Sequence, residues 1–264
     1  MIDSFDPGLV AGLFAVATVA GCVDAIAGGG GLITLPALIL AGLDPVSAIA
    51  TNKLQGSAGS TSATIAFARR GLIHWPEAWR IALAAGLASM LGALCVSLTP
   101  RSVLDAGVPI LLVGIALYFA FARRMHNEDA AARITPLAFS LSVAPLVGFY
   151  DGVFGPGAGA FYMVGFVTLL GLGVVRATAH TKLANAASNL GSLALFAASG
   201  HVAWIIGLAM AAGAFLGAQI GSALAVRLGA RLIRPLLVTI ACAMAIRLLA
   251  NPENPLRVAV LGLF

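Results

Sequence analysis

Charge is what this chain has least of. Charged residues make up 9% of its 264 residues, where a soluble domain carries about 25%. Hydrophobic residues reach 60% and mean hydropathy is +1.02, which together exclude an ordinary water-soluble globule. Cysteine is also scarce. Cys22, Cys95 and Cys242 are scattered through apolar segments with neither metal-ligand spacing nor a disulfide framework, and they read as small buried hydrophobes. Neither His-Glu-x-x-His nor Gly-x-Ser-x-Gly occurs, which lowers the case for an intramembrane enzyme. No nucleotide-binding domain, cofactor site or metal site is read from the chain. Met1 to Pro7 holds two aspartates and no basic residue. It lacks the charged start of a cleaved signal peptide, so the first helix is expected to be retained.

What is there is apolar and long. Hydrophobic stretches run over Leu9–Ala27, Ala78–Leu98, Ser102–Ala122, Pro136–Tyr150, Ala203–Val226 and Leu232–Ala250. Most approach the ~20 residues that span ~30 Å of hydrocarbon. The strands of a barrel would alternate polar and apolar residues, so the expected fold is an all-α polytopic membrane protein in a lipid bilayer. The net charge of +5 does not point to nucleic acid. The basic residues gather at segment ends, as Arg69/Arg70, Arg123/Arg124 and Arg227/Arg231/Arg234, in the manner of topology signals.

The chain also repeats itself. Gly21-Cys22-Val23-Asp24 and the glycine run Gly28–Gly31 precede Thr51-Asn52-Lys53-Leu54, Phe67, Gly71 and Trp75. Gly148-Phe149-Tyr150-Asp151 and Gly155-Pro156-Gly157-Ala158-Gly159 precede His180-Thr181-Lys182-Leu183, Phe196, Gly200 and Trp204. In both copies Phe, Gly and Trp follow the lysine by 14, 18 and 22 residues. A duplicated membrane unit with a charge and a helix break in each half is the signature of a secondary transporter. Residues 1–122 are read as the first repeat, 123–134 as a polar cytoplasmic linker and 135–264 as the second repeat. Each holds about five segments, one of them short. An odd number inverts the second copy, and equivalent loops carry opposite basic content. Both termini are therefore expected outside the cytoplasm.

The breaks locate the chemistry. Four successive glycines hold a helix poorly, and Pro156 removes a donor. Unwound backbone at membrane depth must line an enclosed cavity. The short segments after the breaks then offer free N–H groups and positive dipole ends to an anion, through Gly29, Gly30, Gly31, Gly157 and Gly159. The alternative is that these glycines only allow tight helix crossings. Lys53 and Lys182 lie about 9–10 Å into their helices. Lys53 shares a helix face with Gly56, Ser57, Ser60 and Thr64, and Lys182 with Asn185 and Asn189. A polar stripe of this kind needs protein or water opposite it, so both lysines are expected to point inward and meet across a central vestibule rather than snorkel. Asp24 and Asp151 are the natural counter-charges. Full pairing leaves little field for an anion unless lysine donors are shared or an aspartate is protonated. His180 is either a proton acceptor or a hydrogen-bonding core histidine. Thr51, Asn52, Gln55, Thr181 and Asn185 offer neutral donors to sulfo or carboxylate oxygens. Gly213, Gly217 and Gly221, with Ala84, Ala88 and Gly92, form small-residue faces that pack helices within the chain or make a homodimer.

These residues resemble the sulfite exporter TauE/SafE family. The resemblance rests on Gly21–Gly31, on Thr51-Asn52-Lys53 and on their echoes through Thr181-Lys182, and covers nearly the whole chain. It implies bacterial inner-membrane transport, often export, of sulfur-containing anions such as sulfite, sulfoacetate and related sulfonates. The function expected is a secondary carrier in which one half rocks against the other. A passive anion channel using the same lysines is the alternative.

Overall fold

The computed structural model describes residues 6–95 and 128–250, and among these residues every regular element is a helix. The apolar segment Ser102–Ala122, the arginines Arg101, Arg123 and Arg124, and most of the polar linker lie outside the described residues. The first half supplies α1 (Pro7–Ala27), α2 (Gly31–Leu40), α3 (Pro45–Ala68) and α4 (Trp75–Leu94). The second supplies α5 (Pro136–Leu141), α6 (Val143–Val153), α7 (Ala158–Thr168), α8 (Val174–Ala198), α9 (Trp204–Leu228) and α10 (Ala230–Ala250).

Local chemistry sets the helix starts. Pro7, Pro45, Pro76 and Pro136 stand in first turns, where a missing N–H costs nothing. Asp44 caps α3 by accepting from the Val46 and Ser47 amides at 3.0 and 3.1 Å, and Thr135 caps α5 through the Ala138 amide. The segment expected as one helix over Pro136–Tyr150 is instead two, broken at Ser142 (φ −123°, ψ −74°). The breaks at the glycine runs form as expected. Gly28 and Gly29 take φ of 78° and 95°, and Gly155 and Gly157 both take 88°, a region closed to most L side chains.

The bundle is inside-out relative to a soluble protein. Leu83, Leu87 and Leu91 on α4 and Ile205, Leu208 and Ile220 on α9 are about half exposed. Lys53, Asp151, Lys182, Thr34 and Ser188 are buried. Four stretches among the described residues are long and apolar enough to cross a membrane: Pro7–Ala27, Trp75–Leu94, Pro136–Val153 and Trp204–Leu228. The polar helices α3 and α8 are of comparable length, at 24 and 25 residues, and pair at the centre. They run antiparallel, since Ala50 clusters with Phe196 and Gly56 abuts Asn189.

The sequence halves do not form separate bodies. α9 packs along α1 and α3, while α4 packs along α6 and α8. Each half has lent its fourth helix to the other. Glycines make these crossings. A Cβ on Gly217 would overlap the Thr18 carbonyl of α1, and one on Gly152 would overlap the Ser89 carbonyl of α4. Gly213 and Gly221 also meet α1 backbone, and Gly92 meets Phe149 of α6. Gly92, Gly213, Gly217 and Gly221, expected to pack helices within the chain or make a homodimer, are used within the chain.

The two ends of the bundle differ. Leu9, Leu43, Ala203 and Ile206 cluster at one end, beside Asp6, Asp44 and His201. Phe67, Val174 and Ala225 belong to the larger core, and Arg69, Arg70, Arg176 and Arg227 lie towards this second end. Gly217→Leu and Gly152→Leu are each expected to destabilise the protein by about 3 kcal/mol or more, because backbone has nowhere to retreat. Thermal unfolding in detergent checks this, and an unchanged midpoint would contradict the packing.

Candidate functional site

The two breaks meet backbone to backbone. A Cβ on Gly28 would lie 3.1 Å from the Gly159 main chain, and one on Gly159 would lie 3.1 Å from Gly28 Cα. Around this crossing is a cavity of about 530 Å³ of empty space, part of it open to solvent. It is walled by Gly29–Gly31 and Gly155–Gly159 from the breaks, by Asn52, Gln55 and Gly56 from α3, and by Asn185 and Asn189 from α8. Asp24 and Asp151 also face it.

Lys53 and Lys182 do not. Each is fully buried and paired with the aspartate of the other repeat. Lys182 Nζ donates to Asp24 Oδ2 at 2.9 Å, and Lys53 Nζ donates to Asp151 Oδ1 at 2.8 Å. Lys53 also donates to the Asp151 main-chain carbonyl, and the Ser188 hydroxyl donates to Asp151 Oδ2. Asp24 Oδ1 accepts from the Gly30 amide at 3.0 Å. The lysines were expected to meet across a vestibule. Each ammonium is instead spent on a carboxylate, and the two Cα positions stand about 15 Å apart along the helix axes, counting rise from the Gly56–Asn189 contact. The pairs differ in exposure. Asp151 is 4% exposed, while Asp24 is 23% exposed.

With the ammonium groups neutralised, the cavity's free donors are amides. The N–H groups of Gly29, Gly31, Gly157 and Gly159 have no hydrogen-bond partner among the described residues. Gly30, also expected as a donor, is committed to Asp24. These free groups open the 10-residue α2 and the 11-residue α7, so two positive helix ends converge. Asn52 is held by its oxygen, which accepts from Thr34 at 2.6 Å and Gln55 at 2.9 Å, leaving its NH2 beside Gly31. Asn185 is only 6% exposed, and its side-chain oxygen is buried without a partner. An unpartnered buried carbonyl oxygen costs about 1–3 kcal/mol, which a ligand O–H or N–H would relieve, while the Asn185 NH2, beside Gly159, is the group that can donate to a ligand oxygen.

Other expected residues lie elsewhere. Thr51 Oγ1 accepts from the Ala203 amide at 3.0 Å and so caps α9. Thr181 faces the Met163 sulfur. His180 sits towards the arginine-bearing end, its Nδ1 2.9 Å from the Arg176 carbonyl and its Nε2 accepting from the His74 amide at 3.4 Å. It lines a separate pocket with Glu77 and Arg176. Each of the three is too far along or around its helix to face the breaks. Thr34 and Ser188 were not anticipated. Thr34 had a signal, being the one polar residue in an otherwise apolar α2. Ser188 had none from the repeat, because Gly59 stands at the matching position.

A family model described as "Sulfite exporter TauE/SafE" matches residues 13–248. The chain belongs to the sulfite exporter TauE/SafE family. A TauE/SafE relative from Sinorhizobium sp, "Probable membrane transporter protein ORF9", is 52% identical over 250 residues, covering 95% of this chain and 96% of that protein. "Probable membrane transporter protein YfcA" of Escherichia coli (strain K12) is 47% identical over 248 residues, 94% of this chain and 92% of the relative. A "Probable membrane transporter protein" of Haemophilus influenzae is 42% identical over 240 residues, 91% and 94% of the two chains. No solved structure matches the chain. The chain is a multi-pass membrane transporter of TauE/SafE type.

Removing one member of a buried ion pair strands its partner. Lys53→Met is expected to cost about 3–5 kcal/mol, and Lys53→Met with Asp151→Leu is expected to recover most of that loss. Thermal unfolding of the three proteins in detergent checks the pairing; additive losses would contradict it.

Proposed function

We propose that this protein is a secondary transporter that exports small sulfur-containing anions, such as sulfite or C2 sulfonates, by alternating access across the bacterial inner membrane. One observation carries the reading. Two helix N-termini, with four free amides, converge in one partly enclosed cavity on the side chain of Asn185, whose NH2 stands beside Gly159. The four amides, with the NH2 groups of Asn185 beside Gly159 and Asn52 beside Gly31, make a convergent set of donors, the complement of an oxyanion. Gln55, expected as a donor, spends its NH2 on Thr34 and Asn52 and so orients the Asn52 amide instead, and glycine lets a ligand approach the backbone closely.

An inverted repeat is supported by the antiparallel course of the equivalent helices α3 and α8. Trp75 and Trp204, equivalent and half exposed, begin helices at opposite ends of the bundle. The gathering of Arg69, Arg70, Arg176 and Arg227 at one end supports a cytoplasmic position for that end. Asp6 and Asp44 are then periplasmic, and so are both termini.

Alternating access needs two bodies. The packing favours α1, α2, α3 and α9 as one and α4 through α8 as the other. The moving units are therefore not the sequence halves expected from the repeat. Lys53 (α3) with Asp151 (α6), and Asp24 (α1) with Lys182 (α8), each tie one body to the other. They do so at two depths on either side of the cavity, where alternate breaking would open one side at a time. The sealed Lys53–Asp151 pair favours a carrier over a continuously open channel. Export of an anion is also favoured by the membrane potential, at ~2.3 kcal/mol per charge per 100 mV.

Proteoliposomes loaded with unlabelled sulfite or isethionate test the reading by saturable uptake of the labelled anion. Asn185→Ala is expected to weaken the apparent affinity about tenfold or more, the worth of a hydrogen bond to a charged group. Its stability is expected to stay within about 1 kcal/mol, because no side-chain partner is lost. Unitary currents in place of saturable exchange, or an unchanged affinity in Asn185→Ala, would refute it.

A further inference from the structure

The charges around the cavity nearly cancel, and the residual sets the kind of anion it can hold. Lys53 and Lys182 contribute two positive charges, and Asp24 and Asp151 two negative ones. The remaining side chains that line it are neutral, Asn52, Gln55, Asn185 and Asn189 among them. What remains is the pair of helix N-termini of α2 and α7, each equivalent to about half a positive charge. The sum is about one. The arrangement is also directional. The carboxylates of Asp24 and Asp151 line the cavity, and their lysines do not.

We propose that the site selects singly charged anions over doubly charged anions of the same shape. This deepens the anion-carrier reading and rests on it. Within the sulfur oxyanions it favours hydrogensulfite and monosulfonates over the sulfite dianion, sulfate and doubly ionised sulfoacetate. A monoanion is balanced by the two helix ends and held by the free amides of Gly29, Gly31, Gly157 and Gly159 and by Asn185. A dianion brings a second charge for which no unpaired cation lines the cavity among the described residues, against two carboxylates already facing it. A buried charge without a partner is strongly disfavoured. Asn185 supplies the independent sign that a ligand belongs here: it is buried where the two helix ends converge, its side-chain oxygen has no donor, as the O–H of hydrogensulfite would be, and its NH2 stands beside Gly159.

Methanesulfonate and sulfate make the test, because they are both tetrahedral and similar in size but differ by one charge. Each is titrated against the purified full-length protein, and each competes with labelled sulfite in proteoliposomes. Wild type is expected to bind methanesulfonate about tenfold or more tightly than sulfate. Asp24→Asn removes one negative charge from the cavity wall and is expected to shrink that ratio by about tenfold. Asp24→Asn with Lys182→Gln restores the charge balance and is expected to restore the ratio. Sulfate binding within about threefold of methanesulfonate in wild type overturns the charge selection while leaving the anion site standing, as does a ratio unmoved by Asp24→Asn in folded protein. If Asp24→Asn does not fold, the wild-type ratio decides. Binding of neither anion, with no competition against sulfite, overturns the anion site itself.

Discussion

Two lysines buried in an apolar bundle must each find a negative partner, and in this protein each finds it in the other repeat. Lys53 takes Asp151 and Lys182 takes Asp24. The rest of the architecture follows from satisfying that demand twice. Each aspartate sits near the end of the helix leading into a break, so pairing it across the centre carries the break to the centre too. The glycine runs then cross at Gly28 and Gly159. The cavity is the space left around that crossing, because unwound backbone in an apolar medium has to face protein or water.

Close helix approach makes the exchange of partners possible. α9 lies along α1 and α4 along α6 with carbonyl oxygens where a side chain would otherwise stand, at Gly217 and Gly152 among others. In lipid the apolar effect does not drive helices together, and such contact depends on van der Waals packing of small residues. The same crossings intertwine the two halves, so each half is completed by a helix of the other. The repeat is a unit of sequence, and the packed body is a unit of two different segments.

The pairing changes where the positive potential comes from. Cationic side chains that are already neutralised cannot dominate the proposed site, whose open donors are backbone amides and the NH2 groups of Asn52 and Asn185. Dipoles of fixed orientation need no desolvated counter-ion and no rearrangement when a ligand arrives. This places Lys53 and Lys182 in a supporting position. They hold the aspartates that hold the breaks, and Asp24 in turn fixes the Gly30 amide.

Much was legible in the residues alone. Composition determined a helical membrane protein, because a chain with so few charges and such long apolar runs has one solvent that suits it. The doubled Asp–glycine-run–lysine pattern determined the breaks and the charged helices, since φ near +90° and an intramembrane ammonium each demand a particular environment. Gly29, Gly31, Gly157, Gly159, Asn52, Gln55 and Asn185 could be named from that pattern. What only the tertiary structure decided was partnership. Whether Lys53 meets Asp24 or Asp151, whether Thr51 faces the cavity or caps α9, and whether Gly217 serves a dimer or α1 depend on the rotation and crossing of helices far apart in the chain. A local periodicity specifies which face of a helix is polar, but it carries no record of what lies opposite.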